Sequence, residues 1–196
     1  MYDKQNKTLI TNQKLLQNEG ERLLAHTKLL EVLKPFGELL IGGSYAYGTM
    51  VDRDIDIHVI HENGKLDRNY RNKVIQALLE IPDIGKLNIV DLVNFSYGKT
   101  KKAIGIWLGL VIIFEKSSWN IDIWLFDKEN MDKNLSLYSK MMQIDEATRS
   151  TILAIKNYCF LNGLKQKGIT SVDIYNAVID EGIKSVKEYL ISRNLF

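Results

Sequence analysis

The stretch "IGGSYAYGTMVDRDIDIHVI", residues 41–60, decides how the chain is read. An apolar run stops at Gly42, Gly43 and Ser44, then resumes as aspartates alternating with isoleucines. Successive residues of a strand point to opposite faces, so Asp54, Asp56 and His58 share one face. Ile55, Ile57 and Val59 share the other and are expected to enter a core. Gly42, Gly43 and Gly48 permit backbone angles closed to other residues and let a ligand approach the main chain. A turn of this composition offers successive amides, and the Ser44 hydroxyl, to phosphate oxygens.

The pattern has a counterpart in "WNIDIWLF", residues 119–126. There Ile121, Ile123 and Leu125 face one way, and Asp122 and Trp124 the other. If the two strands are neighbours, Asp122 lies beside Asp54 and Asp56, because cross-strand Cβ atoms are about 4.5–5.5 Å apart. Three packed carboxylates repel and raise one another's pKa values. Divalent magnesium, which prefers oxygen ligands, relieves that repulsion. Two such ions clamp the attacking and leaving oxygens of an in-line phosphoryl displacement.

Around these strands the spacing predicts a helix over 11–34, ended by Pro35, and a strand over 38–43. A helix over 67–81 is expected, with Asp67 as N-cap and Pro82 past its end. Further strands are expected at 86–95 and 106–114, the latter joined to 119–126 by a hairpin at "EKSS". Residues 131–192 read as helices with a break at "NGLKQKG" (162–168), and Thr170 with Asp173 reads as a capping pair. The fold class is α/β (α+β): a mixed sheet flanked by helices, followed by a helical C-terminal segment. Residues 1–130 are expected to form the core unit with the N-terminal helix, and 131–196 the helical segment.

"GGSYAYGTMVDRDIDI" followed by "WNIDIWL" resembles the DNA polymerase β-type nucleotidyltransferase superfamily, in particular its small stand-alone, antibiotic-nucleotidyltransferase-like members. The resemblance covers roughly residues 36–127. It implies that Gly43 and Ser44 grip a triphosphate and that Asp54 and Asp56 bind metal. Asp122 would bind a metal and help activate the acceptor hydroxyl. It also implies two magnesium ions, a nucleoside triphosphate substrate (ATP expected) and transfer of a nucleoside monophosphate with release of pyrophosphate. The acceptor expected is a hydroxyl of a small molecule such as an antibiotic. Alternatives are RNA or protein as acceptor, or a non-catalytic nucleotide-binding module of the same fold. Members often carry serine before the first aspartate; here it is Arg53, whose role the sequence leaves open.

The net charge of +2 does not demand a nucleic-acid partner, and no dense basic stripe with interleaved aromatics is present. The polar start "MYDKQNKTLI" lacks the apolar core of a signal peptide, and no run suffices to cross a bilayer. With a single cysteine, Cys159, the protein is read as cytoplasmic.

Other singular residues take plainer readings. His58, on the carboxylate face, is read as a strand-end histidine beside solvent, with contact to substrate or a phosphate as the alternative, and His26 as structural. His61 faces away from His58, so they form no metal pair. The loop bearing Lys99, Lys101 and Lys102 is read as a solvated tip. Trp107, Trp119 and Trp124 are read as packing residues, with a place beside the nucleotide base as the alternative for Trp124, and Cys159 as a small buried one. For a cationic acceptor such as an aminoglycoside, the available acids of the helical segment are Glu146, Asp173, Asp180 and Glu181.

Overall fold

Strands that alternate apolar and polar residues bury one face and leave the other open. The computed structural model describes residues 2–62, 65–95, 105–132 and 135–195. In it the strands are β1 (Glu38–Gly42), β2 (Asp54–His61), β3 (Ile84–Asp91), β4 (Ile106–Phe114) and β5 (Ser117–Asp127). They form one sheet in the order β1-β2-β5-β4-β3, with β2 and β5 parallel and the other neighbours antiparallel. Glu115 and Lys116, both at positive φ, make the two-residue turn between β4 and β5, as twisted hairpins favour.

Helices α1 (Tyr2–Thr27), α2 (Leu29–Leu33), α3 (Gly43–Tyr47) and α4 (Arg68–Leu79) precede or interleave these strands. Leu23, Leu29, Leu33, Val74 and Leu78 from α1, α2 and α4 pack with the apolar face of the sheet, including Ile55, Ile57, Ile121 and Ile123. The opposite face carries the aspartates. Asp67 caps α4 by accepting the Tyr70 N–H.

Three sequence readings are corrected. The single helix expected over 11–34 breaks at Lys28, which is left-handed at φ 52. Thr27 Oγ1 donates to the Leu23 carbonyl and accepts the Leu29 N–H, and the bend lets Leu29 and Leu33 reach full burial. The strand expected at 86–95 instead runs Ile84–Asp91. Asp91 stops it, because its carboxylate accepts the N–H groups of Val93 and Asn94 and pairs with Arg71. The glycine turn after β1 is a single helical turn, α3, ended by Gly48 at φ 65.

Beyond β5 the chain is helical: α5 (Lys128–Asp132), α6 (Leu135–Met142), α7 (Glu146–Leu161), α8 (Ser171–Ile179) and α9 (Val186–Ser192). The break at 162–168 is a 3-10 turn, Leu164–Lys167, between the left-handed Gly163 and Gly168. Thr170 and Asp173 form a reciprocal capping box at the start of α8. A second apolar cluster joins Met141, Ile152, Ile155, Ile174, Ala177 and Tyr189, and it includes Tyr47 of α3. Arg149 of α7 donates from Nε to the Tyr47 carbonyl at 3.0 Å. No helix among the described residues is long and apolar enough to cross a membrane.

Arg53 faces away from the aspartates and forms two hydrogen bonds to Glu19 of α1, at 2.7 and 3.0 Å. Glu19 also accepts the indole N–H of the fully buried Trp119 at 3.0 Å. These contacts hold the Glu19 carboxyl below the usual carboxylate range, chiefly through Arg53. Glu19→Ala leaves both donors unpaired, and the expected loss is about 1–3 kcal/mol in urea denaturation at pH 7. A folded-state pKa that is lowered gives stability above the unfolded value, lost as pH falls through the folded one. The difference between wild type and Glu19→Ala therefore shrinks below about pH 4.5.

Candidate active site

The register builds the site in rows across the sheet. Gly42 lies opposite Asp56, Asp56 opposite Asp122, and Asp122 opposite Gly109. The neighbouring row is Leu40, His58, Trp124 and Trp107. A pair of carboxylates thus sits between two glycines on the flanking strands β1 and β4, with Asp54 one pleat further along β2.

Asp54, Asp56, Asp122, Gly43 and Ser44 all line one cleft of about 800 Å³ between the sheet and the helical segment. The structure therefore brings together every site residue named from the sequence. Burial and the Asp56 charge push the Asp54 carboxyl up to about 7. Burial and Asp122 push Asp56 up to about 6, and burial raises Asp122 as well. Gly43 is at φ 61, and a Cβ there would collide with the Asp56 carboxylate. Position 43 is glycine for its backbone angle and for the space it leaves an acidic neighbour.

Lys156, Tyr175, Lys165 and Asp52 of the cleft escaped the sequence reading. Lys156 of α7 is 5% exposed, and its Nζ donates to the Tyr175 hydroxyl at 3.2 Å. That hydroxyl also lies 3.3 Å from Thr49 Oγ1. Burial pulls the Lys156 ammonium down to about 8 against the upward pull of Asp52, Asp56 and Asp54. The signal for it was present: Ile152, Lys156 and Cys159 lie at helical spacing, so a lysine occupies the apolar stripe of α7. Lys165 and Asp52, 3.8 Å apart, pair at the cleft mouth, and both line it. Trp107 covers Gly109, where a Cβ would collide with its ring, and its indole pulls the Asp122 carboxyl down against the larger upward push of burial.

Several readings change. His58 lines the cleft and is partly buried rather than a solvated strand end. Its ring packs edge-on against Phe126 at 5.6 Å and over Gly42, and its buried Nδ1 has no partner among the described residues. Burial pulls it down to about 4, so it is neutral. Trp124 stacks on Phe126 at 5.5 Å and lines the cleft. The acids suggested for a cationic acceptor are engaged elsewhere. Asp173 caps α8, Asp180 pairs with Lys140, Glu181 pairs with Arg193, and Glu146 lines a separate cavity beside α1. Lys99, Lys101 and Lys102 lie outside the described residues.

The donor set fits magnesium in one specific way. Among the described residues no group of three or more His, Cys, Asp or Glu side chains is arranged to hold a metal ion by itself. Magnesium, however, keeps several waters and is usually held by one or two carboxylates plus substrate phosphates. Carboxyls raised by burial, and for Asp54 and Asp56 also by neighbouring carboxylate charge, suit that role.

A five-stranded mixed sheet with helices on one face and an acidic cleft on the other is a nucleotidyltransferase-like fold. The solved poly(A) polymerase complex of GLD-2 with GLD-3 is similar, with TM-score 0.57 and 14% identity over 87% of this chain and 57% of that one. The GLD-2/RNP-8 complex gives TM-score 0.55 and 15% identity over 87% and 64% respectively. The chain thus spans less than two thirds of either structure, and identity this low shows the fold alone. No family model and no curated protein matches the sequence.

Two predictions rest on this geometry. In the folded, ion-free protein Asp54 and Asp56 hold protons between about pH 4 and 7 that the unfolded chain has lost, so their contribution to stability falls as pH rises through that window. Asp54→Asn should therefore gain on wild type in Tm from pH 4 to pH 7.5 in EDTA, at about 1.4 kcal/mol per pKa unit relieved. Gly43→Ala should fold less stably by about 1–3 kcal/mol in thermal denaturation, through strain at positive φ and the displaced Asp56.

Proposed function

We propose that this protein transfers a nucleoside monophosphate from a nucleoside triphosphate, with ATP the expected donor, to a hydroxyl of a small acceptor and releases pyrophosphate. The observation that carries this reading is the meeting of Asp54, Asp56 and Asp122 with Gly43, Ser44 and the buried Lys156 in one cleft.

Asp54, Asp56 and Asp122 would hold magnesium, which when bound supplies charge neutralisation at the α-phosphate and in-line alignment of the entering and leaving oxygens. The chain's own groups do the rest. Gly43 and Ser44 bind triphosphate oxygens from the end of the sheet where β1 passes into α3. Lys156 places a desolvated cation among those oxygens, where an ion pair is stronger than in water. Lys165 binds at the mouth, exchanging Asp52 for phosphate. Asp122 takes the proton of the attacking hydroxyl. Chemistry of this kind rests on positioning and electrostatics rather than on a covalent protein intermediate.

The test is pyrophosphate release from each nucleoside triphosphate with magnesium and an acceptor panel. Asp56→Asn should lower the rate at least about 100-fold, the scale seen when one preorganised electrostatic group is lost. Lys156→Met should raise the KM for nucleotide about tenfold, the loss of one charge-assisted contact. Nucleotide-dependent stabilisation without turnover would instead mark a binding module.

A further inference from the structure

We infer that the row next to the carboxylates, His58 with Trp124 backed by Phe126, is the acceptor subsite, and that it takes a hydroxyl carried next to a flat, uncharged ring. This rests on the nucleotidyl-transfer reading and extends it to the acceptor's chemistry.

Direction along the sheet fixes which substrate lies where. β1 turns into α3 at Gly42, opposite Asp56, so Gly43 and Ser44 stand at the Asp54 end of β2. Lys156 and Lys165 interact with Asp52, Asp54 and Asp56, at that same end. The triphosphate, and the pyrophosphate that leaves, belong there. In an in-line displacement the attacking oxygen enters opposite the leaving group. The opposite side of the Asp56–Asp122 row is occupied by His58 and Trp124, which are paired in register.

The chemistry of that row is specific. Trp124 stacks nearly parallel to Phe126, with 3° between the rings, and Phe126 is 3% exposed. Phe126 is in turn met edge-on by His58. Trp124 is thus a braced, half-exposed aromatic surface in the cleft, beside Asp122. The buried Nδ1 of His58 has no partner among the described residues. Among the described residues the row offers an aromatic face and the His58 ring, beside Asp56 and Asp122. Of the helical-segment acids that could receive a polycation, Asp173 caps α8, and Asp180 and Glu181 are held in ion pairs. With the acceptor ring on Trp124, its hydroxyl oxygen bonds to the α-phosphorus. The bond from that phosphorus to pyrophosphate breaks with its electron pair, and the hydroxyl proton passes to Asp122.

The test measures transfer from α-labelled ATP with magnesium to a matched pair, phenyl β-glucoside and methyl β-glucoside, alongside kanamycin and a short oligoribonucleotide. Nucleotide binding is followed separately by thermal shift. The phenyl glycoside should exceed the methyl one about tenfold or more in kcat/KM, as expected of a ring stacked on an aromatic side chain. Trp124→Ala should bring the two level, chiefly through KM, and Trp124→Phe should keep the preference. Both variants should retain the magnesium–ATP thermal shift. The inference is overturned if the methyl glycoside or kanamycin is labelled as well as the phenyl glycoside, or if the preference survives Trp124→Ala. It is equally overturned if only the oligoribonucleotide is labelled, or if Trp124→Ala abolishes the nucleotide shift, which would make the row a base subsite. No nucleotide shift in wild type would overturn the nucleotidyl-transfer reading itself, and the acceptor subsite with it.

Discussion

The parallel pairing of β2 with β5 is the constraint on which the remainder depends. It sets Asp56 directly opposite Asp122, an arrangement that repulsion and desolvation both oppose. The same pairing sets Ile55 against Ile121 and Ile57 against Ile123, all four fully buried on the other face. Side chains alternate with a period of two, so separating the acids by a one-residue slip would turn the isoleucines out to water. Each fully buried isoleucine contributes about 1.5–3 kcal/mol, so the core face holds the acidic face in place. The unfavourable arrangement of charge is enforced by the favourable arrangement of carbon.

Strict alternation is why β2 could be bounded from sequence and an apolar run is why β4 could, and the capping residues at 67 and 170 were legible because a cap is a local bond. The break at Lys28 was hidden. The apolar spacing of leucines continues through it, and only the need to bring Leu29 and Leu33 under the sheet explains the bend. The early end of β3 was hidden for a related reason, since Asp91 acts through a turn and through Arg71, twenty residues away in sequence.

For the site, residue type and spacing led to the three aspartates and to the glycine and serine after β1, because each lies on a short local motif. That they share one cleft needed the strand order, which no local pattern contains. Lys156 was missed because a lone lysine in an amphipathic helix ordinarily snorkels to water. Here α8 closes over it with Tyr175. His58 was misjudged because its burial depends on Phe126 of a strand more than sixty residues on.

Arg149 has a mechanical meaning beyond its bond. It ties α7 to the carbonyl of Tyr47, and Tyr47 is itself packed into the apolar cluster of the helical segment. The helix that carries Lys156 and the turn that carries Ser44 are therefore joined by a bond that does not pass through the sheet. The two groups that would hold one anion have their spacing set from the helical side, while the same turn springs from β1 at the end of the sheet where the carboxylates stand.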